Sequence, residues 1–311
     1  MQISLVIPLR NEENSAGPLL ESIARQSRMP DEVVVVDAGS TDRTHEVLAR
    51  ASAGFPVRVL SRGPLYPGAA RNEGVAAARH DWIAFTDGGI RLEPSWLEVL
   101  SETASRTRAD VVLGNYHPAC HSFFQENAAL AYVAPLGASG LRGPFVASML
   151  VRREALEAVG GFPPFRAAED LILLERLLCP PRRVAEAPEA RIHWEIPASA
   201  AELFCKFALY SYHNLVAQRG RHWHFGVARH YFLTALVALA AAPLAGWLVL
   251  GLFPLMLLAR ATKASWQKRR SFSFPTLRPH RIVHTALILA VIDLATLAGT
   301  VRWLLRSPPR N

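Results

Sequence analysis

A few acidic and basic side chains stand at positions where they can do chemistry. Asp37 ends the apolar run EVVVVD and is followed by Ala-Gly-Ser-Thr-Asp. A carboxylate there can accept hydrogen bonds from a ribose or from a base N–H at a sheet edge, or it can organise an Asx-type turn. Asp87 ends DWIAFTD and precedes Gly88 and Gly89, which leave room for backbone to approach a diphosphate. A divalent ion held at Asp87 would bridge phosphate oxygens and neutralise a leaving group. One carboxylate is few ligands for a hard cation, so phosphates, water or a distant residue would have to complete the shell. Arg71, in GAARNEG, can stabilise a departing diphosphate directly, or it is a solvated helix arginine. Glu169 and Asp170 open AAEDLILLERLLC. Acids suit the first turn of a helix in any case; alternatively, one of the two faces a cleft as general base toward an acceptor hydroxyl. His193, in RIHWEIP, is either a ligand or a packed polar residue.

These residues need a scaffold, and the hydrophobic pattern supplies one. Short apolar runs at 3–9, 31–37, 57–61, 81–87 and 109–115 read as strands. Between them, a helix starting near Pro18, THEVLARA, 67–80 and 94–106 read as helices. Four consecutive valines in the second run suit a strand buried on both faces. The alternation predicts an α/β fold with a mostly parallel sheet covered by helices on both faces, and ligands then bind beyond the carboxyl ends of the strands, where Asp37 and Asp87 stand. Further on, 144–156 reads as a strand running into a helix, 167–179 as a helix, 183–188 as a strand and 199–218 as a longer helix.

The C-terminal part is different in kind. Residues 200–311 hold 14 Lys/Arg against Glu202 and Asp293, a balance of +12, so 1–199 carry −4 of the chain's net +8. A tail both basic and strongly apolar points to an anionic membrane surface rather than to nucleic acid. Positions 231–259 carry no charge and are interrupted only by Pro243 and Pro254; 260–281 carry seven Lys/Arg and no acid; a second apolar run covers 282–301, broken by His284 and Asp293. As one helix, 231–259 would rise about 43 Å, more than a bilayer core requires. A single crossing would put the basic loop on the far side from residues 1–225, against the positive-inside tendency. A hairpin broken at Pro243 would keep that loop cytoplasmic. The expected division is therefore a catalytic domain over 1–225 and a membrane-associated helical region over 226–311.

Several classes are excluded. GxGxxG does not follow the first strand, no GxxxxGK[ST] occurs, and there is no Gly-x-Ser-x-Gly elbow. Cys120, Cys179 and Cys205 form no CxxC pair and read as reduced thiols. His222 and His224 in HWHF lack further suitably spaced ligands for zinc. The opening MQISLVIPLRNEE reads as a strand and not as a cleavable signal peptide.

Over residues 2–195 the chain resembles the family 2 glycosyltransferases of GT-A fold. The resemblance rests on SLVIPLRNEENSAGPLLESIARQS, EVVVVDAGSTDRT, GAARNEGVAAARHDWIAFTD and GGFPPFRAAEDLILLERLL, in that order. It implies an inverting transfer from a nucleotide-diphosphate sugar without a covalent sugar–enzyme intermediate. Pro8 and Glu12 would lie at the nucleotide edge, Asp37 on the base or ribose, and Arg71 near the phosphates. Asp87 would be the first acid of an Asp-x-Asp element holding Mg2+ or Mn2+, with His193 near the metal or diphosphate. Asp170 would be the general base and Glu169 would support the acceptor. The chain departs from the family at Gly89, where the second acid would stand, and it lacks the Gln-x-x-Arg-Trp element of processive synthases. Its C-terminal part resembles members attached to the cell inner membrane, with the catalytic domain facing the cytoplasm, that act on lipid-linked or membrane-proximal acceptors in envelope polysaccharide or glycolipid synthesis. A noncatalytic membrane scaffold with a degenerate transferase domain, or a related nucleotidyltransferase, are the alternative readings.

Overall fold

The computed structural model describes residues 1–51 and 57–306. They form two compact units: Met1–Ala119 with Leu136–Glu195, and Cys120–Pro135 with the chain from Ile196 onward. The division therefore falls 30 residues before the expected 225/226 boundary, and 120–135 joins the C-terminal unit.

In the first unit β1 (Ile3–Leu9), α1 (Ala16–Ala24), β2 (Glu32–Asp37), α2 (Thr44–Ala51), β3 (Val57–Ser61), α3 (Pro67–Ala77) and β4 (Trp82–Phe85) alternate as predicted. Then come β5 (Ile90–Leu92), α4 (Trp96–Thr107) and β6 (Val111–Ala119). In the second unit lies α5 (Phe123–Tyr132). The chain then returns to the first unit for β7 (Met149–Arg152), α6 (Arg153–Glu157), α7 (Glu169–Leu177) and β8 (Val184–Glu195).

The sheet order is β3-β2-β1-β4-β7-β6-β8-β5. From β3 to β4 all neighbours are parallel. Beyond β4 the sheet is mixed: β7 runs antiparallel to both β4 and β6, β8 is parallel to β6, and β5 is antiparallel to β8. The expectation of a mostly parallel sheet thus holds for one half. A run of apolar residues marks a buried strand but not its direction.

Every residue of β1 and β2 is buried. Alternate side chains serve two cores. Ile3, Leu5, Ile7, Val33 and Val35 pack with Leu19, Ile23, Trp96 and Leu100 on one face. Val6, Val34, Val36 and Phe85 pack with Ala70, Val75, Leu173 and Leu177 on the other. That two-sided burial is why these strands read as unbroken apolar runs. Pro8 sits inside a central strand without losing a ladder bond, because the pairing of β1 with β4 ends at Val6.

In the second unit α5 is joined by α8 (Ala200–Val216), α9 (His224–Ala245), a 3₁₀ segment Gly246–Gly251, α10 (Leu252–Gln267) and α11 (Pro279–Leu305). α9 through α10, and α11, are apolar and long enough to cross a membrane. The N-terminal half of α11 meets α5, where Arg281 pairs with Glu126 at 2.6 Å. Its C-terminal half meets α8, where Ser211 Oγ donates to the Thr296 carbonyl at 2.8 Å.

Candidate active site

The carboxyl ends of β1, β2 and β4 and the first turn of α7 bring most of the predicted residues to one sheet edge. At the end of β4, Asp87 is partly exposed, and Arg71 Nη2 donates to its Oδ1 at 2.6 Å and its Oδ2 at 2.7 Å. Arg71 projects from α3 and is buried. Its Nη1 lies 3.5 Å from Glu169 Oε1, and its guanidinium lies 5.2 Å from the centre of the Phe162 ring. It is therefore no solvated helix arginine: one cation ties the acid that ends β4 to the acid that opens α7. The surrounding carboxylates hold it firmly protonated despite burial.

Glu169 is buried, and its carboxyl is raised to about 7. Burial is the main cause, repulsion from Asp170 and Asp87 adds to it, and Arg71 opposes it. Asp170 is half-buried; its Oδ1 accepts only the N–H of Leu171, at 2.8 Å, among the described contacts. The two adjacent acids thus have unlike environments, one buried beside Arg71 and one open.

Glu12 comes to the same edge. Its carboxyl packs so closely on the loop after β4 that a Cβ on Gly88 would lie 2.6 Å from Glu12 Cδ. Burial raises its pKa, with Asp87 and Asp42 adding repulsion and the Ser15 hydroxyl opposing. Asp37 is fully buried at the end of β2. Its Oδ1 accepts from Ser40 N at 3.0 Å and Ser40 Oγ at 2.6 Å, and its Oδ2 lies 2.6 Å from His45 Nε2. Asp37 therefore does organise the turn, and it also fixes His45, half-exposed on α2, at the sheet edge. His45 was not singled out by sequence; its signal is a position eight residues beyond Asp37, on the helix that Asp37 precedes.

The described hydrogen bond of His193 is to Glu93 and not to Asp87. The residue lies within β8, paired with Arg91 of β5, and its Nε2 is 3.1 Å from Glu93 Oε1. β8 runs on to Glu195, past the predicted end at 188, and carries His193 into the ladder.

The residues present fit a divalent cation only in part. Asp87 offers a partly exposed carboxylate, and Glu12 adds negative charge behind it. Gly89 has φ +72°, and no atom lies within 4 Å of where its Cβ would be, so that side of the loop is open to phosphate oxygens or water. No cluster of three His, Cys, Asp or Glu able to hold a metal is found among the described residues. Any cation here would take most of its ligands from outside the protein.

A parallel half-sheet that ends in an acid-rich edge, followed by antiparallel strands and an acid-headed helix, defines a GT-A architecture. Residues 4–159, half of the chain, match Glycosyl transferase family 2, and the chain belongs to that family. A validoxylamine A glucosyltransferase of Streptomyces hygroscopicus subsp. limoneus is 34% identical over 137 residues, 40% of this chain and 30% of that protein. The dodecaprenyl-phosphate galacturonate synthase of Rhizobium johnstonii is 31% identical over 121 residues, 37% of this chain and 36% of that protein. The matched stretch thus spans about a third of these relatives. Among solved structures, the mannosyltransferase PcManGT from Pyrobaculum calidifontis, in complex with GDP-Man and Mn2+, aligns with a TM-score of 0.57 at 19% identity, covering 97% of this chain and 87% of that one. S. aureus TarS 1–349 in complex with UDP aligns at 0.51 and 19% identity, covering 97% and 91%. These two likenesses concern the fold.

Proposed function

We propose that this chain is an inverting glycosyltransferase. It moves a sugar from a nucleotide-diphosphate donor to a hydroxyl or phosphate of a membrane-proximal or lipid-linked acceptor at the cytoplasmic face of the inner membrane. The observation that carries the reading is the Arg71 bridge, which joins the β4 acid to Glu169 at the head of α7, next to Asp170. Asp170, the open member of that pair, takes the acceptor proton as the acceptor oxygen bonds to the anomeric carbon. The bond from that carbon to the diphosphate oxygen breaks on the opposite face, and the nucleoside diphosphate leaves. Glu169 supports the acceptor and, with Phe162, holds the guanidinium of Arg71. Pro8, Glu12 and the Asp37–His45 pair border the nucleotide. Asp87 would hold Mg2+ or Mn2+, which supplies charge neutralisation at the leaving diphosphate when bound. His193, engaged by Glu93, stands outside that shell. The membrane part of the reading is supported by the exposed apolar helices and the basic residues that follow them; the name of the Rhizobium relative supports a polyprenyl-phosphate acceptor.

The test is product analysis with a panel of nucleotide-sugars and a membrane lipid extract, with Mg2+, with Mn2+ and with chelator. Asp170→Asn is expected to lose most transfer while retaining nucleotide binding. Full transfer by this variant would remove Asp170 as the base, and a product that retains the donor's anomeric configuration would remove direct displacement.

A further inference from the structure

Crossing a bilayer needs an apolar path of about 30 Å. The uncharged stretch 231–259 is long enough in sequence, but its fold shortens it. α9 ends at Gly246, whose φ of +55° turns the chain, and the 3₁₀ segment leads into α10. α10 runs back along α9: the rings of Tyr231 and Phe253, 22 positions apart, lie 6.5 Å apart with nearly parallel planes. One continuous helix would separate them by about 33 Å.

A polar node fixes where this hairpin leaves the aqueous side. Asp293 of α11 is buried; it accepts from Arg260 Nη2 of α10 at 3.1 Å and from the Tyr231 hydroxyl of α9 at 3.0 Å. A charged pair is costly at the middle of a bilayer and tolerable near its interface. Beyond the node α9 has only the residues from Tyr231 to Ala245, a rise of about 21 Å, and the return has only the 3₁₀ segment and Leu252 to Arg260, about 24 Å together. Neither arm reaches across the hydrocarbon. The turn itself is apolar and bare, with Leu244 94% and Trp247 79% exposed. Behind the node, 260–281 carries seven Lys/Arg and no acid, which suits anionic headgroups. α11 passes the node at its middle and is covered on one side by α5 and α8, with Arg281 near one end and Arg302 near the other.

We propose that 231–259 is a re-entrant hairpin that dips into one leaflet of an anionic bilayer and returns. This rests on the membrane reading above and narrows it: the chain before α9 and the chain after α10 emerge on the same side.

The test uses the full chain with Cys120, Cys179 and Cys205 replaced by serine and single cysteines introduced as Ala228→Cys, Trp247→Cys and Gln267→Cys. An impermeant maleimide is applied to spheroplasts and to inverted membrane vesicles. Positions 228 and 267 are expected to label in the same preparation, and 247 in neither until detergent is added. Leu244→Cys serves as a second tip position should the tryptophan replacement fail to fold. Labelling of 228 and 267 in opposite preparations, or of the tip in spheroplasts, overturns the re-entrant path. A nitroxide at 247 whose signal is broadened by a second labelled copy, and sharpened on dilution with unlabelled protein, would show that a protein partner covers the tip in place of lipid. Failure of the chain to float with the membranes removes the membrane reading itself. None of these readouts depends on sugar transfer, so an inactive chain that labels as expected leaves the inference standing.

Discussion

Glu169→Gln isolates the cost of holding a carboxylate beneath Arg71. The carboxyl ordinarily titrates at 4.5 and is raised to about 7 in the fold. Between those values the folded state binds more protons than the unfolded state, so stability falls as pH rises through that window and levels off above it. At about 1.4 kcal/mol per pH unit, the full fall is about 3 kcal/mol. Glutamine keeps the shape and removes the titration. It gives up little direct pairing, since Arg71 Nη1 is 3.5 Å from Glu169 Oε1 while the short contacts are to Asp87. The stability of the variant minus that of the parent should therefore grow by about 3 kcal/mol between pH 4.5 and pH 8. Titrating groups that are not coupled to Glu169 cancel in that difference; Asp170 and Asp87, which repel it, do not. Urea unfolding of the full chain, read by pulse proteolysis of fragments from residues 1–119 and 136–195, measures it. A flat difference, or one that shrinks as pH rises, would refute the account of Glu169 as a buried carboxyl raised by its surroundings.

Arg71→Ala leaves Asp87 and Glu169 facing each other without their cation. It should cost about 3–5 kcal/mol in thermal or urea unfolding, and adding Glu169→Gln should return part of that loss. Asp87→Asn is expected to weaken nucleoside diphosphate binding about tenfold or more by calorimetry, with any Mn2+ dependence of binding diminished as well. Gly89→Asp places a carboxylate in open space at φ +72°, a conformation that aspartate tolerates better than most residues; Mn2+ titration by electron paramagnetic resonance should show tighter binding than in the parent. His193→Ala should leave that titration unchanged, because Glu93 already holds the ring.

The part of the site that sequence made legible is the part fixed by strand ends. Asp37 and Asp87 stand where an apolar run stops, and a buried strand in a parallel half-sheet has to stop at the ligand edge. The first turn of α7 was equally visible, since an acid pair before an apolar-periodic stretch marks a helix start. What remained hidden depends on pairing between distant segments. No local pattern says that Arg71 reaches Glu169, 98 residues away, or that β8 continues past its turn-like Pro188 to take His193 into a ladder. β5 has three residues and no propensity signal of its own; its existence follows from the partner it finds in β8.

The same division governs the C-terminal unit. Apolarity and charge there point toward a bilayer on the reading proposed above, because they are sums over residues. Topology does not follow from such sums: the difference between one crossing and a re-entrant hairpin lies at Gly246 and at an aspartate 33 positions beyond Arg260. Asp293 interrupts an apolar helix and, taken alone, weakens the case for a membrane segment. Paired with Arg260 and Tyr231 it becomes, on the proposed path, a marker of depth, since a charged pair costs least where water is near. A residue that seems to contradict the hydropathy pattern thus carries the information the pattern lacks.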